Sequence, residues 1–244
     1  MLFLHGNPDS SLLWEPVAAL LSRQFRCIAP DLPGYGRSTA PPDFDYTLTG
    51  QARFLQALAR ELGFTHPIAV VGHDFGAIFA MAWMARHPEM IRAAVISNSA
   101  FFPDYKWHLW AKAWRRHGLG EVMMALMSLR GMRFVYRAGV PRIPARYIED
   151  AYRLLTPGVR QNILRLYRSV PAGAFASWEA DYLRAAKHVP VLVLWADGDP
   201  FIPKRFAERF AAQRIVRFER SGHWLPLAEP AAFANETAGF LRAT

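Results

Sequence analysis

The run Val70-Val71-Gly72-His73-Asp74-Phe75-Gly76-Ala77 decides the fold. It opens with apolar, β-branched residues and leads into a helix-forming stretch, with a glycine two residues either side of an aspartate. This is a Gly-x-nucleophile-x-Gly pattern, in which the middle residue sits on a strained strand-to-helix turn at the top of a sheet. The flanking glycines leave room for strand and helix to approach closely. Asp74 therefore stands where a nucleophile belongs. An aspartate that caps the following helix is the structural alternative.

The residue type dictates the chemistry. A serine needs a base before it attacks, whereas an aspartate near its reference pKa is already ionised at neutral pH. Its natural target is a saturated carbon bearing a leaving group, which gives an alkyl-enzyme ester. Attack on an ester carbonyl would give a reactive anhydride, so Asp74 points away from ordinary esterases. Two partners are expected downstream, an acid and then a histidine. The run Leu192-Val193-Leu194-Trp195-Ala196-Asp197-Gly198-Asp199-Pro200 ends a strand with two candidate acids, Asp197 and Asp199. Ser221-Gly222-His223-Trp224 follows the last strand, and a histidine in that loop can reach the elbow. His223 would activate water for attack on the ester carbonyl, oriented by a carboxylate on its other nitrogen.

Outward from the elbow, short apolar runs alternate with helical patterns, which indicates an α/β domain with a mostly parallel sheet. Strands are expected at 1–4, 26–29, 68–71, 93–97, 189–195 and 215–218. Leu48, Ala52, Leu55, Ala59 and Leu62 recur on one helix face, with Gly63 following as a C-terminal cap. Further helices are expected over 76–87, stopped by Pro88, and over about 230–241. Between Phe101 and about Tyr182 the rhythm stops, in a stretch rich in tryptophan, methionine and arginine. The expectation is a helical cap over 101–183, inserted into a core made of 1–100 and 184–244.

Composition bounds the function. With 244 residues, 52% hydrophobic, the chain can bury a real core, which excludes intrinsic disorder. No apolar stretch reaches about 18 residues, so no transmembrane helix is expected. The start Met1-Leu2-Phe3-Leu4-His5-Gly6 lacks the basic region of a signal peptide. Cys27 stands alone, so neither an internal disulfide nor a cysteine metal cluster is available. Together these suggest a cytoplasmic protein with a small-molecule substrate and water as its partners, and no cofactor or metal. The net charge of +9 is concentrated: residues 101–170 carry 13 Lys and Arg against Asp104, Glu121, Glu149 and Asp150, while the remainder is balanced. Without a nucleic-acid motif, this excess reads as a solvated helical face rather than a nucleic-acid site.

These residues resemble the α/β-hydrolase superfamily, and within it the aspartate-nucleophile branch of epoxide hydrolases and haloalkane dehalogenases. The resemblance rests on the His5-Gly6-Asn7-Pro8 turn, Asp31-Leu32-Pro33-Gly34-Tyr35-Gly36-Arg37-Ser38, the Asp74 elbow, Trp195 to Pro203, and Gly222-His223-Trp224. It implies an α/β-hydrolase fold with a helical cap and a triad of Asp74, Asp199 and His223, favouring Asp199 over Asp197. It also implies an oxyanion hole from the backbone N–H groups of Asn7 and Phe75. Family members usually have two further strands before the one ending at His-Gly. By that comparison the first two strands of the usual fold are absent, leaving an apolar edge along 26–29.

The branch motifs are mixed. Dehalogenases of this kind carry an asparagine like Asn7, whose amide donates to the leaving halide, but they follow the nucleophile with tryptophan. Phe75 has no N–H in its side chain to donate. Trp107 or Trp110 from the cap could substitute. Epoxide hydrolases use cap tyrosines to protonate the opening ring, and Leu166-Tyr167-Arg168 and Asp104-Tyr105-Lys106 resemble those segments. Epoxide hydrolysis with Tyr105 and Tyr167 as leaving-group donors is therefore the leading expectation, and dehalogenation the alternative. A non-catalytic ligand-binding protein on the same fold is the alternative from another class. Nothing at Asp74, Asp199 or His223 is visibly broken, which favours an enzyme.

Overall fold

The computed structural model describes residues 1–140, 143–171 and 173–244. Its strands are β1 (Leu2–Leu4), β2 (Ile68–His73), β3 (Ile91–Ser97), β4 (Val191–Ala196) and β5 (Arg214–Phe218). They form one sheet in the order β1-β2-β3-β4-β5, and every ladder is parallel. The helices are α1 (Glu15–Leu21), α2 (Leu48–Glu61), α3 (Phe75–Arg86), α4 (Leu109–Trp114), α5 (Leu119–Leu126) and α6 (Leu129–Gly139). They continue with α7 (Ala145–Leu154), α8 (Pro157–Ser169), α9 (Ala176–Ala185), α10 (Leu225–Ala228) and α11 (Pro230–Ala243). This is the α/β-hydrolase architecture, a parallel sheet with flanking helices.

Local chemistry explains the central elements. In α2 the Thr47 side chain accepts a hydrogen bond from Gly50 N–H at 3.2 Å, satisfying a donor that a helix start leaves open. Leu48, Ala52, Leu55 and Ala59 then face the core. Helix α3 is apolar all round, and its residues from Phe75 to Met84 are buried. Such a helix needs cover on every side. It has the sheet beneath it and packs against both α2 and α9. Helix α9 falls within the expected cap range yet lies against α3. Helices α1 and α11 pair with one another, and α11 also contacts β4.

One expected strand is not formed. The 26–29 segment meets the sheet through a single bridge, Leu2 to Ile28, held by Phe3 N–H to Ile28 O at 2.8 Å and Ile28 N–H to Met1 O at 3.0 Å. Pro30 follows at once and has no N–H to extend the ladder. Cys27, Ile28 and Ala29 are half-buried there, and among the described residues no further strand pairs outside them.

Helix α6 closes down on the loop after β5. Tyr136 stacks on Trp224 with centroids 4.2 Å apart and planes 22° from parallel. Gly139 sits against both Trp224 and the Gly222 backbone, and a Cβ there would collide with the indole. Gly139→Ala should therefore destabilise by roughly 1–3 kcal/mol through overpacking. Gly239, inside α11, has nothing within 4 Å of a Cβ position. Gly239→Ala should stabilise by about 1 kcal/mol, the usual helix preference. Urea unfolding of both variants reads the opposite signs, and equal effects would contradict this packing.

Candidate active site

Asp74 lies between β2 and α3 with φ 52 and ψ −124, a left-handed conformation costly for a residue with a Cβ. The turn is held from outside. Asp74 N–H donates to Ser97 O at 3.2 Å, and Ser99 Oγ donates to Asp74 O at 2.7 Å. A Cβ on Gly76 would strike the Leu4 carbonyl, so only glycine lets α3 start this close to β1. The Asp74 side chain makes no capping bond to α3. The capping alternative is thereby removed. Its Oδ1 instead accepts the Asn7 N–H at 2.9 Å. Of the two N–H groups expected to form an oxyanion hole, that of Asn7 is hydrogen-bonded to this carboxylate.

The loops after β4 and β5 bring the expected acid and histidine alongside. His223 Nδ1 bonds Asp199 Oδ2 at 2.7 Å, and His223 Nε2 stands 3.8 Å from Asp74 Oδ2. Asp199 Oδ1 accepts the N–H groups of Phe201 at 2.7 Å and Ile202 at 3.1 Å, which fixes the carboxylate plane. Asp197 turns away and pairs with Arg217 at 2.7 Å. Of the two candidate acids, only Asp199 touches the histidine.

Burial and charge set the protonation states. Burial raises Asp74 most, the His223 charge and the two N–H groups pull it back, and the carboxyl is left at about 6. Burial alone would depress His223. The Asp199 carboxylate, with Asp74 and Asp9 nearby, outweighs it and pushes the imidazole up to about 9. At neutral pH the resting site therefore holds an Asp74 anion beside a His223 cation.

Above the carboxylate is a cavity of about 40 Å³, room for roughly three waters. Its walls include Asn7, Asp74, Phe75, His223 and the cap residues Tyr105, Trp107, Trp110 and Tyr167. Tyr167 is buried, and its ring stands edge-on to Phe75 with centroids 5.0 Å apart. The Tyr105 hydroxyl reaches the Phe201 carbonyl at 3.4 Å. Burial, reinforced by the Asp74 charge, raises both phenols, so they stay neutral. Trp107 stacks on Phe75 with planes 13° apart. Among the described residues, both polar atoms of the Asn7 side chain are buried with no hydrogen-bond partner.

Three contributors escaped sequence reasoning. Asn98, at φ 37, accepts Ala196 N–H at 2.9 Å and donates to Ala196 O at 3.0 Å and to Asp199 Oδ2 at 2.9 Å. The Ser97-Asn98-Ser99 run at a strand end, where asparagine tolerates positive φ, was the available signal. Asp9 is buried and accepts Tyr136 OH at 2.6 Å, Tyr147 OH at 2.8 Å and Trp224 Nε1–H at 3.0 Å. It ties α6, α7 and the residue after His223 to the turn after β1. His108 lines the cavity and caps α4, its Nδ1 accepting Ala111 N–H at 3.3 Å. Burial, then the His223 charge, holds it down to about 4, hence neutral.

A family model described as the alpha/beta hydrolase fold matches residues 1–120. A haloalkane dehalogenase of Mesorhizobium japonicum is 31% identical, over 87% of this chain and 73% of its own length. A cis-3-alkyl-4-alkyloxetan-2-one decarboxylase of Shewanella oneidensis is 30% identical, over 92% of this chain and 76% of its own. A solved Pseudomonas aeruginosa structure assigned as an epoxide hydrolase superposes with a TM-score of 0.83 at 26% identity, covering 99% of this chain and 88% of that one. With a parallel sheet, an aspartate at the elbow and relatives of this similarity, the chain belongs to the α/β-hydrolase superfamily, in the branch that holds haloalkane dehalogenases and epoxide hydrolases.

Proposed function

We propose that the protein hydrolyses epoxides on small apolar substrates through an alkyl ester on Asp74. The observation that carries this reading is the pair of neutral phenols, Tyr105 and Tyr167, lining the cavity that holds the Asp74 carboxylate. An Asp74 oxygen attacks the ring carbon, the C–O bond breaks, and its electron pair goes to the ring oxygen. That alkoxide takes a proton from a tyrosine hydroxyl, a far better donor than water. The His223 imidazolium returns a proton to that tyrosinate, and the neutral ring then removes a proton from water, whose oxygen attacks the ester carbonyl. The N–H groups of Asn7 and Phe75 receive the developing negative charge. Collapse releases the diol and restores the Asp74 carboxylate.

The charge balance of the site supports this division of labour. In the resting site, Asp74 is among the anions that keep His223 protonated. Esterification removes that anion, so the histidine becomes a weaker acid-holder and a better source of a free base when water must be activated. Asp199 stays bonded to the other ring nitrogen and stabilises the imidazolium that forms.

Carbon–halogen hydrolysis is the second reading, favoured by one observation. Among the described residues the Asn7 side-chain amide is buried and unpartnered, and a halide leaving as an anion needs only such N–H donors.

Replacing His223 with glutamine should leave alkylation intact and block ester hydrolysis. Intact-mass spectra of His223→Gln should show a substrate-sized adduct, mapping to Asp74. An active parent whose variant never accumulates an adduct would contradict the two-step scheme.

The pH dependence has a definite sign. Asp74 must be ionised to attack, so the alkylation rate in a single turnover should rise as pH climbs through about 6. In His223→Gln the nearby cation is gone, and the same midpoint should move upward. A midpoint near 4 in the parent would mean that the carboxylate is better solvated than its burial indicates.

The leaving group can be read from the cap. Converting both Tyr105 and Tyr167 to phenylalanine removes the hydroxyls and keeps the rings. Alkylation by an epoxide should fall by at least about a hundredfold, the scale of a lost general acid. Asn7→Ala should matter less for an epoxide than for a haloalkane. An undiminished double variant, together with abolished halide release in Asn7→Ala, would instead establish the dehalogenase reading.

A further inference from the structure

Helix α5 is apolar almost all round, with Glu121 the one charged residue in Leu119–Leu126. Such a helix ordinarily belongs in a core or in lipid. Here only Gly120 and Met124 are buried, where α5 packs on α4 and α8. Leu119, Val122 and Leu126, spaced three and four apart, form a stripe that faces solvent. Leu126 is 75% exposed, Leu109 at the start of α4 78% and Phe134 of α6 69%. Among the described residues, Leu20 is the only exposed large hydrophobic side chain outside this part of the cap. Cations flank the stripe. Arg116 precedes α5, Arg130 follows it and Lys112 lies one turn before Arg116, and all three are exposed. Among the described residues none of the three is in an ion pair, and the nearby acids are taken: Glu121 pairs with Arg168 at 2.7 Å, and Asp104 with Arg209.

We propose that this corner of the cap docks on a bilayer surface carrying anionic lipid. The α5 stripe enters the boundary between headgroups and acyl chains, while Lys112, Arg116 and Arg130 meet the lipid phosphates. Charge selects this occupant over a second copy of the chain. An apolar stripe alone would fit another cap equally well, but the whole excess of +9 lies in residues 101–170, so two such faces repel. An anionic bilayer answers both needs, with apolar depth for the leucines and negative charge for the unpaired cations. The docked face also adjoins the catalytic cavity. Lys106, Lys112, Arg115 and Arg116 line a surface groove of about 540 Å³ together with Tyr105 and Trp107, which wall that cavity as well. Docking of this kind does not depend on which leaving group departs above Asp74.

Flotation of the full chain with lipid vesicles tests this without any turnover. Phosphatidylcholine vesicles containing about 30% phosphatidylglycerol should carry the protein at about 50 mM salt, and phosphatidylcholine alone should not. Raising the salt to about 500 mM should weaken partition at least about tenfold, because headgroup charge is then screened. Val122→Gln combined with Leu126→Gln should lower partition into the anionic vesicles at least about tenfold, the scale of two apolar side chains left in water. Arg116→Gln combined with Arg130→Gln should cause a similar loss. All four side chains are exposed, so the melting temperature of both double variants should match the parent. The parent chain alone gives a reading that needs no variant: if it floats with neither vesicle, docking is refuted. Flotation that the Val122 and Leu126 changes leave intact would be adsorption through charge alone, and would overturn the proposal as well. A dimer in sedimentation velocity without lipid, dissolved by the same two changes, would assign the stripe to a second copy instead.

Discussion

A carboxylate held out of water is the constraint on which this structure is organised. Asp74 is forced into the protein at the top of the sheet, and burial opposes its charge. The anion persists at neutral pH because the Asn7 N–H bonds it, the Phe75 main chain favours its charge and the His223 ring carries a positive charge beside it. Each of those partners depends on a different part of the chain. Asn7 follows β1, Phe75 opens α3 and His223 follows β5, so the register of the whole parallel sheet determines whether the charge is balanced.

The same requirement explains the aromatic cap. Bulk water above Asp74 would solvate the carboxylate, and the rings of Phe75, Trp107 and Tyr167, in mutual contact, wall the space above it down to a small cavity. The cap is bound to the core by polar contacts as well. Asp9 collects two tyrosine hydroxyls and the Trp224 indole at one buried carboxylate. Removing any one of these donors would leave a buried polar oxygen short of a partner, which is costly. The loop carrying His223 is thereby coupled to α6 and α7.

Most of the frame was legible because it is written in local patterns. The alternation of apolar runs and helices locates the sheet, and the glycines around Asp74 mark the turn by what they allow sterically. Asp74, Asp199 and His223 stand at strand ends, where short motifs can be read. What was not legible depends on contacts distant in sequence. Asp9 resembles any turn aspartate, and its donors lie 127, 138 and 215 residues away. His108 caps a helix where serine, threonine, aspartate or asparagine would be expected, so its type gave no signal. The 26–29 run has the composition of a strand, but a strand also needs a partner along its length, and Pro30 ends the pairing after one bridge.

The donor that meets Asp74 from Asn7 belongs to the main chain. No side-chain replacement deletes a peptide N–H except proline, so this part of the site is shielded from most point mutations. The groups proposed to face a leaving atom are all side chains, carried on cap segments and on the Asn7 amide. Mutational drift can therefore rewrite what departs from the substrate while the apparatus that receives it stays intact. A single scaffold of this kind can diversify its chemistry one cap residue at a time, without passing through an unfolded or inert ancestor.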